Sequence, residues 1–190
     1  MGCNVNKLFL ALPIFFSLAG CTTSTVTTGF YDIKGKDERS LDRSVRKFGP
    51  QDGHAFASTE LKLVPLDIRP AADARGCRVG TAKVRVVANI TLPRWTDRSG
   101  ASGELKRGFD NYPAYAKLHE QHHVKIGQAA AGALESALLA IPPQKNCDVT
   151  LKKATSAIRT VLARHHKAQL AFDAIEKRRI NALIRAAKTK

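Results

Sequence analysis

Apolar residues repeat every second position in the first half of this chain and every third or fourth in the second half. Between Arg78 and Leu92 one parity carries Val84, Val86, Ala88, Ile90 and Leu92, and the other carries Lys83, Arg85, Asn89 and Thr91. Such alternation predicts a half-buried strand, which Pro93 ends. Thr59–Ile68 alternates through Leu61 and Leu63, then changes parity to Val64, Leu66 and Ile68. A bend or bulge at Pro65 accounts for the change. Phe30–Ile33 reads as a brief strand behind a Thr/Ser-rich tether, Cys21–Thr28. Asp37 stands where it can cap a short helix with Leu41, Val45 and Phe48 on one face, and Gly49-Pro50 stops that helix. Thr96–Gly103 is polar and Gly-containing, a loop.

The period then becomes helical. Asp110 or Asn111 can cap a helix with Pro113 in its first turn, running through an Ala-rich segment to Pro142-Pro143. A second helix starts near Asp148 and continues to the basic C-terminus. Its seam is Leu151, Ala154, Ile158, Val161, Ala168, Phe172, Ile175 and Ala182, spaced as on a helix packed against a neighbour. The predicted fold class is α+β: a small antiparallel sheet with one short helix, then two long packed helices, forming one domain over residues 29–190.

The N-terminus changes the expected address. Leu8–Ala19 is an apolar run of the length of a signal peptide's hydrophobic region, too short to span a bilayer. Leu18-Ala19-Gly20-Cys21 resembles a bacterial lipobox, in which the Cys is lipidated and becomes the new N-terminus. An uncleaved anchor, or cleavage without lipid, are the other readings. Thr22 is not the Asp that retains such proteins at the inner membrane. The expected location is therefore the periplasm, lipid-anchored through Cys21 to the inner leaflet of the outer membrane. Removal of residues 1–20 with Cys3, and lipid on Cys21, leaves Cys77 and Cys147, which in an exported chain read as a disulfide. The formal charge is +15, from 31 Lys+Arg against 16 Asp+Glu. Cleavage would remove only Lys7. Because the basic residues are spread along both ends, they read mainly as solvated surface that favours an anionic membrane, and no nucleic-acid partner is expected.

One motif carries chemistry. His119-Glu120-Gln121-His122-His123 reads H-E-x-x-H inside the first long helix. Residues four apart share a face, so His119 and His123 can reach one Zn²⁺, while Glu120 can hold and deprotonate the metal's water. Zinc held by neutral ligands lowers that water's pKa toward ~7 and polarises a carbonyl. A solvent-facing polar patch is the plainer alternative, and His122 could take the place of a neighbour. The third ligand must come from elsewhere. On the last helix His166, Gln169, Asp173 and Glu176 form a polar stripe, from which Asp173 or Glu176 could supply an oxygen. Those acids could equally pair with Lys177, Arg178 or Arg179 on the surface. His165 falls on the apolar seam and reads as a core histidine.

Several segments together resemble a bacterial domain-of-unknown-function family described as predicted secreted zinc-dependent proteases. They are Phe30-Tyr31-Asp32-Ile33, Gly49-Pro50, Cys77 ahead of a strand ending Ile90-Thr91-Leu92-Pro93-Arg94-Trp95, the His119–His123 motif, Cys147, and Phe172-Asp173-Ala174-Ile175-Glu176. The resemblance implies a zincin-like arrangement with His119 and His123 as ligands, Glu120 as base and Asp173 as third ligand. Phe109 departs from it, since relatives tend to have Trp there, and so do His122 and Lys125, where many relatives have Gly and an acid.

Two functions follow as expectations. The first is a zinc peptidase of the envelope acting on peptide or protein substrates, with Val84–Leu92 as an edge strand that aligns an extended peptide. The second is a non-catalytic envelope lipoprotein that binds a partner or an anionic polymer, with or without structural zinc.

Overall fold

The computed structural model describes residues 23–188; the signal segment and Cys21 lie outside the described residues. The chain forms β1 (Ser24–Ile33), α1 (Glu38–Phe48), β2 (Ser58–Asp73), β3 (Gly76–Trp95), a single 3-10 turn at Arg98–Gly100, α2 (Gly103–Leu139) and α3 (Cys147–Lys188). This is the α+β class read from the sequence, with two long packed helices.

The sheet is mixed, not antiparallel. Its strand order is β1-β3-β2, with β2 antiparallel and β1 parallel to β3. The connections explain the difference. A tight turn between Asp73 and Gly76 forces β2 and β3 to run in opposite directions. β1 and β2 are joined through α1 and also run oppositely, so β1 placed beside β3 must be parallel to it. The strand expected at the edge, Val84–Leu92, is therefore central. β1 also begins at Ser24 instead of Phe30, because Thr25–Thr28 pair with Val87–Ile90 of β3.

One face of β3 builds the core. Val84, Val86, Ala88, Ile90 and Leu92 are buried, as the alternation predicts. Ala131, Leu134 and Leu138 of α2 and Ala154 and Val161 of α3 pack on its first half. Each fully buried aliphatic of this kind stabilises by about 1.5–3 kcal/mol. The register slips between Pro65 and Asp67, where the parity change in β2 called for a bulge. Beside the slip, the Val84 N–H donates to Glu135 Oε1 of α2 at 2.7 Å, which ties helix to sheet.

α2 starts two turns earlier than its pattern indicates. Ser102 caps it by accepting from the Leu105 N–H at 3.2 Å. Leu105 and Phe109, one turn apart, pack against Ile33, Leu41 and Trp95. That packing outweighs Gly103 and Gly108 in the first two turns and Pro113, which lies inside the helix. The seam of α3 holds only in part. Ala154 and Val161 are buried, but Leu151 and Ile175 are about half exposed, since α3 meets α2 and the sheet along its first half and one stripe of its second.

At the far end from α1, Cys77 and Cys147 form a disulfide. Cys77 exchanges backbone hydrogen bonds with Gln144 at 2.8 and 2.7 Å. Gly76 makes this approach possible. Its φ is 117°, and a Cβ there would meet the Gln144 carbonyl oxygen at 2.3 Å. Gly76→Ala is expected to cost roughly 2–3 kcal/mol, read as a lowered urea midpoint; a loss below about 0.5 kcal/mol would show that this turn carries no strain.

Candidate metal centre

α2 presents its H-E-x-x-H segment to α3, which runs antiparallel beside it. His119 and His123 are one turn apart, and their Nε2 atoms lie 3.1 Å from each other. From α3, Asp173 Oδ1 sits 3.0 Å from His123 Nε2 and 3.3 Å from His119 Nε2. Two bonds of about 2.0–2.2 Å at a tetrahedral angle would separate their donors by roughly 3.3–3.5 Å. The three atoms are thus spaced much as three donors to one ion are. Asp173 is half exposed, so the group opens to solvent on that side.

Neighbouring side chains orient these donors. Gln169 Oε1 lies 2.6 Å from His123 Nδ1 and can only accept, so Nδ1 carries the proton and the Nε2 lone pair faces the centre. The Gln169 amide is itself held by Nε2, which donates to the His123 carbonyl at 3.2 Å and to His165 Nε2 at 2.8 Å. His119 differs. Its Nδ1 is buried without a hydrogen bond, and Glu176 Oε2 stands 3.9 Å away. Glu176 accepts from the Tyr115 hydroxyl and from Arg179 at 3.0 Å. The Tyr115 hydroxyl and then Arg179 hold its carboxyl below the usual carboxylate range, so it faces His119 ionised. Protonation of His119 at Nδ1 would serve this carboxylate and turn the Nε2 lone pair toward the centre. The donor set, two imidazole nitrogens and a carboxylate oxygen, fits a bound cation.

Glu120 reaches β2. It is 5 % exposed and accepts from Thr59 Oγ1 through Oε2 at 2.8 Å. Its Oε1 has no hydrogen bond among the described residues. No Lys or Arg pairs with Glu120 among the described residues, so this buried carboxylate lacks a neutralising charge, which a cation at the adjacent centre would provide. His119, Glu120, His123, Thr59 and Asp173 line one open cleft of about 430 Å³. His165, Gln169 and Asp173 form the wall on the α3 side. Beside them Phe172 stacks on His122 at 4.2 Å and lies 4.8 Å from the ring of His119.

The predicted stripe divides. Gln169, Asp173 and Glu176 face the motif, whereas His166 is exposed. Asp173 and Glu176 take different places, one at the centre and the other behind His119. His165 is not a core residue: it lies on the cleft wall, where burial and then the adjacent His166 lower its pKa. Lys125 and Arg178 are exposed, while Arg179 is engaged by Glu176. Two contributors escaped the sequence reading. Tyr115 precedes His119 by one turn, so helical spacing marks its position, but no motif contains it. Thr59 reaches Glu120 only through the pairing of β2 with β3.

The family described as "Bacterial protein of unknown function (DUF922)" matches residues 28–179, a span that contains Thr59, the motif, Asp173 and Arg179. No curated protein and no solved structure matches the chain.

Proposed function

The chain belongs to the bacterial DUF922 family of unknown function, and we propose that it is a zinc-dependent peptidase of the cell envelope. The observation that carries this reading is the convergence of His119 Nε2, His123 Nε2 and Asp173 Oδ1 within 4.8 Å of one another, beside a buried Glu120. Two imidazole nitrogens and a carboxylate oxygen suit Zn²⁺, which when bound supplies a Lewis acid for a peptide carbonyl and acidifies water at an open position.

The chain's own residues then have definite tasks. Gln169 fixes the His123 tautomer, and Glu176 faces His119 Nδ1. Thr59 holds one oxygen of Glu120 and leaves Oε1 to take the proton of the attacking water and return it to the leaving nitrogen. An extended peptide would pair with β2 instead of β3, because β2 is the sheet edge whose Ser58 and Thr59 line the cleft. Residues 18–21 support export and lipid attachment at Cys21, so the proposed substrates are peptides or proteins at the inner leaflet of the outer membrane.

Elemental analysis of the purified protein, joined to cleavage of an unfolded protein substrate, tests the proposal. About one zinc per chain is expected, with cleavage that a chelator abolishes, and His123→Ala should lose most of the metal. Folded protein with neither zinc nor cleavage would overturn it. Zinc without cleavage would support the non-catalytic lipoprotein instead.

A further inference from the structure

A second cleft lies away from the candidate metal centre. It opens between α1 and the first turns of α2 and encloses about 850 Å³, against about 430 Å³ at the centre. Its floor is apolar and aromatic. Phe56 lies 6.3 Å from Phe109 and 6.4 Å from Tyr112, centroid to centroid, and Leu41 and Leu105 complete the base. Tyr112 leaves 66 % of its surface exposed there, although most large rings of this protein are better covered.

The chain as a whole carries +15, yet four carboxylates and one ammonium line this cleft. Most of these charges are occupied. Lys36 is drawn to Asp97, Asp42 pairs with Arg46 at 2.9 Å, and Asp37 caps α1 through the Ser40 N–H. Glu38 and Glu104 line the cleft from the first turns of α1 and α2 and form no ion pair among the described residues. The helix N-termini favour these two acids, but no side-chain cation among the described residues pairs with them, so beside the aromatic floor a positive group from outside is favoured by direct attraction and by contact with the Tyr112 and Phe56 rings.

We infer that this cleft binds a basic, apolar peptide segment, in which a Lys or Arg meets Glu38 and Glu104 while a neighbouring aromatic or aliphatic side chain enters the floor. Its volume lies within the roughly 300–1,000 Å³ typical of ligand sites. The two clefts share a wall: Phe56 lines one, and Ala57, Ser58 and Thr59 line the other. On the peptidase reading, on which this last step alone rests, the cleft selects substrates with a basic-apolar stretch near the cleaved bond.

The test uses the full purified chain and a fluorescein-labelled pentapeptide, Lys-Phe-Lys-Leu-Lys, followed by fluorescence anisotropy with and without chelator. Saturable binding that the chelator leaves unchanged is expected. A Glu38→Gln/Glu104→Gln double variant should bind about tenfold more weakly, as should Tyr112→Ala, with thermal midpoints near wild type. An analogue with Glu in place of each Lys should not bind. Equal binding by the double variant, equal binding of the acidic analogue, or no binding at millimolar protein would overturn the inference. Loss of binding in chelator would place the peptide at the metal centre and overturn it as well.

Discussion

On the peptidase reading, a Glu120→Gln variant is expected to bind zinc and fold like the wild type while kcat on an unfolded substrate falls by about 10²–10⁴. The side chain keeps its length, and the amide oxygen can still accept from Thr59 Oγ1, which now stands 2.8 Å from Oε2. His119, His123 and Asp173 are untouched, so metal content should match the wild type. What disappears is the ability to take and return a proton. In the metal-free protein stability should not fall, because the substitution removes a buried carboxylate that has no cationic partner among the described residues. Three measurements decide it together: zinc by elemental analysis, thermal midpoint, and turnover. Undiminished turnover in a folded, zinc-loaded variant would remove Glu120 from the mechanism.

Features legible in the sequence are those whose signal is local. The alternation of Val84–Leu92 reports one buried face of β3 because that face is covered along its length by helices. The parity change at Pro65 reports a bulge because a slipped register turns every later side chain over. Asp37 caps α1 through the Ser40 N–H, three residues away in the chain. The motif spacing places His119 and His123 together because both stand on one helix.

Sheet order was not legible, because pairing of β1 with β3 depends on how α1 turns the chain and not on the strands' own patterns. The start of α2 was hidden for a related reason: Leu105 and Phe109 gain their worth from Trp95 and Ile33, distant in sequence. At the site, the residues misjudged are those defined across elements. His165 looked like core by its place on the α3 seam, but that seam faces a cleft at this height. As carboxylates on a stripe Asp173 and Glu176 were interchangeable, and only the family resemblance favoured Asp173. In the structure the position of His119 between them separates their places, with its Nε2 toward Asp173 and its Nδ1 toward Glu176.

The second large effect is expected far from the cleft. A Cys77→Ser/Cys147→Ser double variant should lose about 4 kcal/mol, the loop-closure value for a bridge spanning 70 residues. For a chain of this size each kcal/mol moves the thermal midpoint by roughly 2–4 °C, so a fall of about 10 °C is the readout. The native contacts around the bridge give no reason for further collapse. Cys77 still exchanges backbone hydrogen bonds with Gln144, and its carbonyl accepts from Thr150 Oγ1 at 2.7 Å. Asp173 stands 26 residues beyond Cys147, roughly 39 Å along α3. There the two helices are joined by their own links, from Gln169 to His123 and from Glu176 to Tyr115. Zinc content at 25 °C should therefore stay near the wild-type value while the midpoint drops. An unchanged midpoint would mean that the bridge does not constrain the unfolded chain. Metal lost at 25 °C from a still-folded variant would mean instead that the base of α3 sets the position of Asp173 from the other end of the helix.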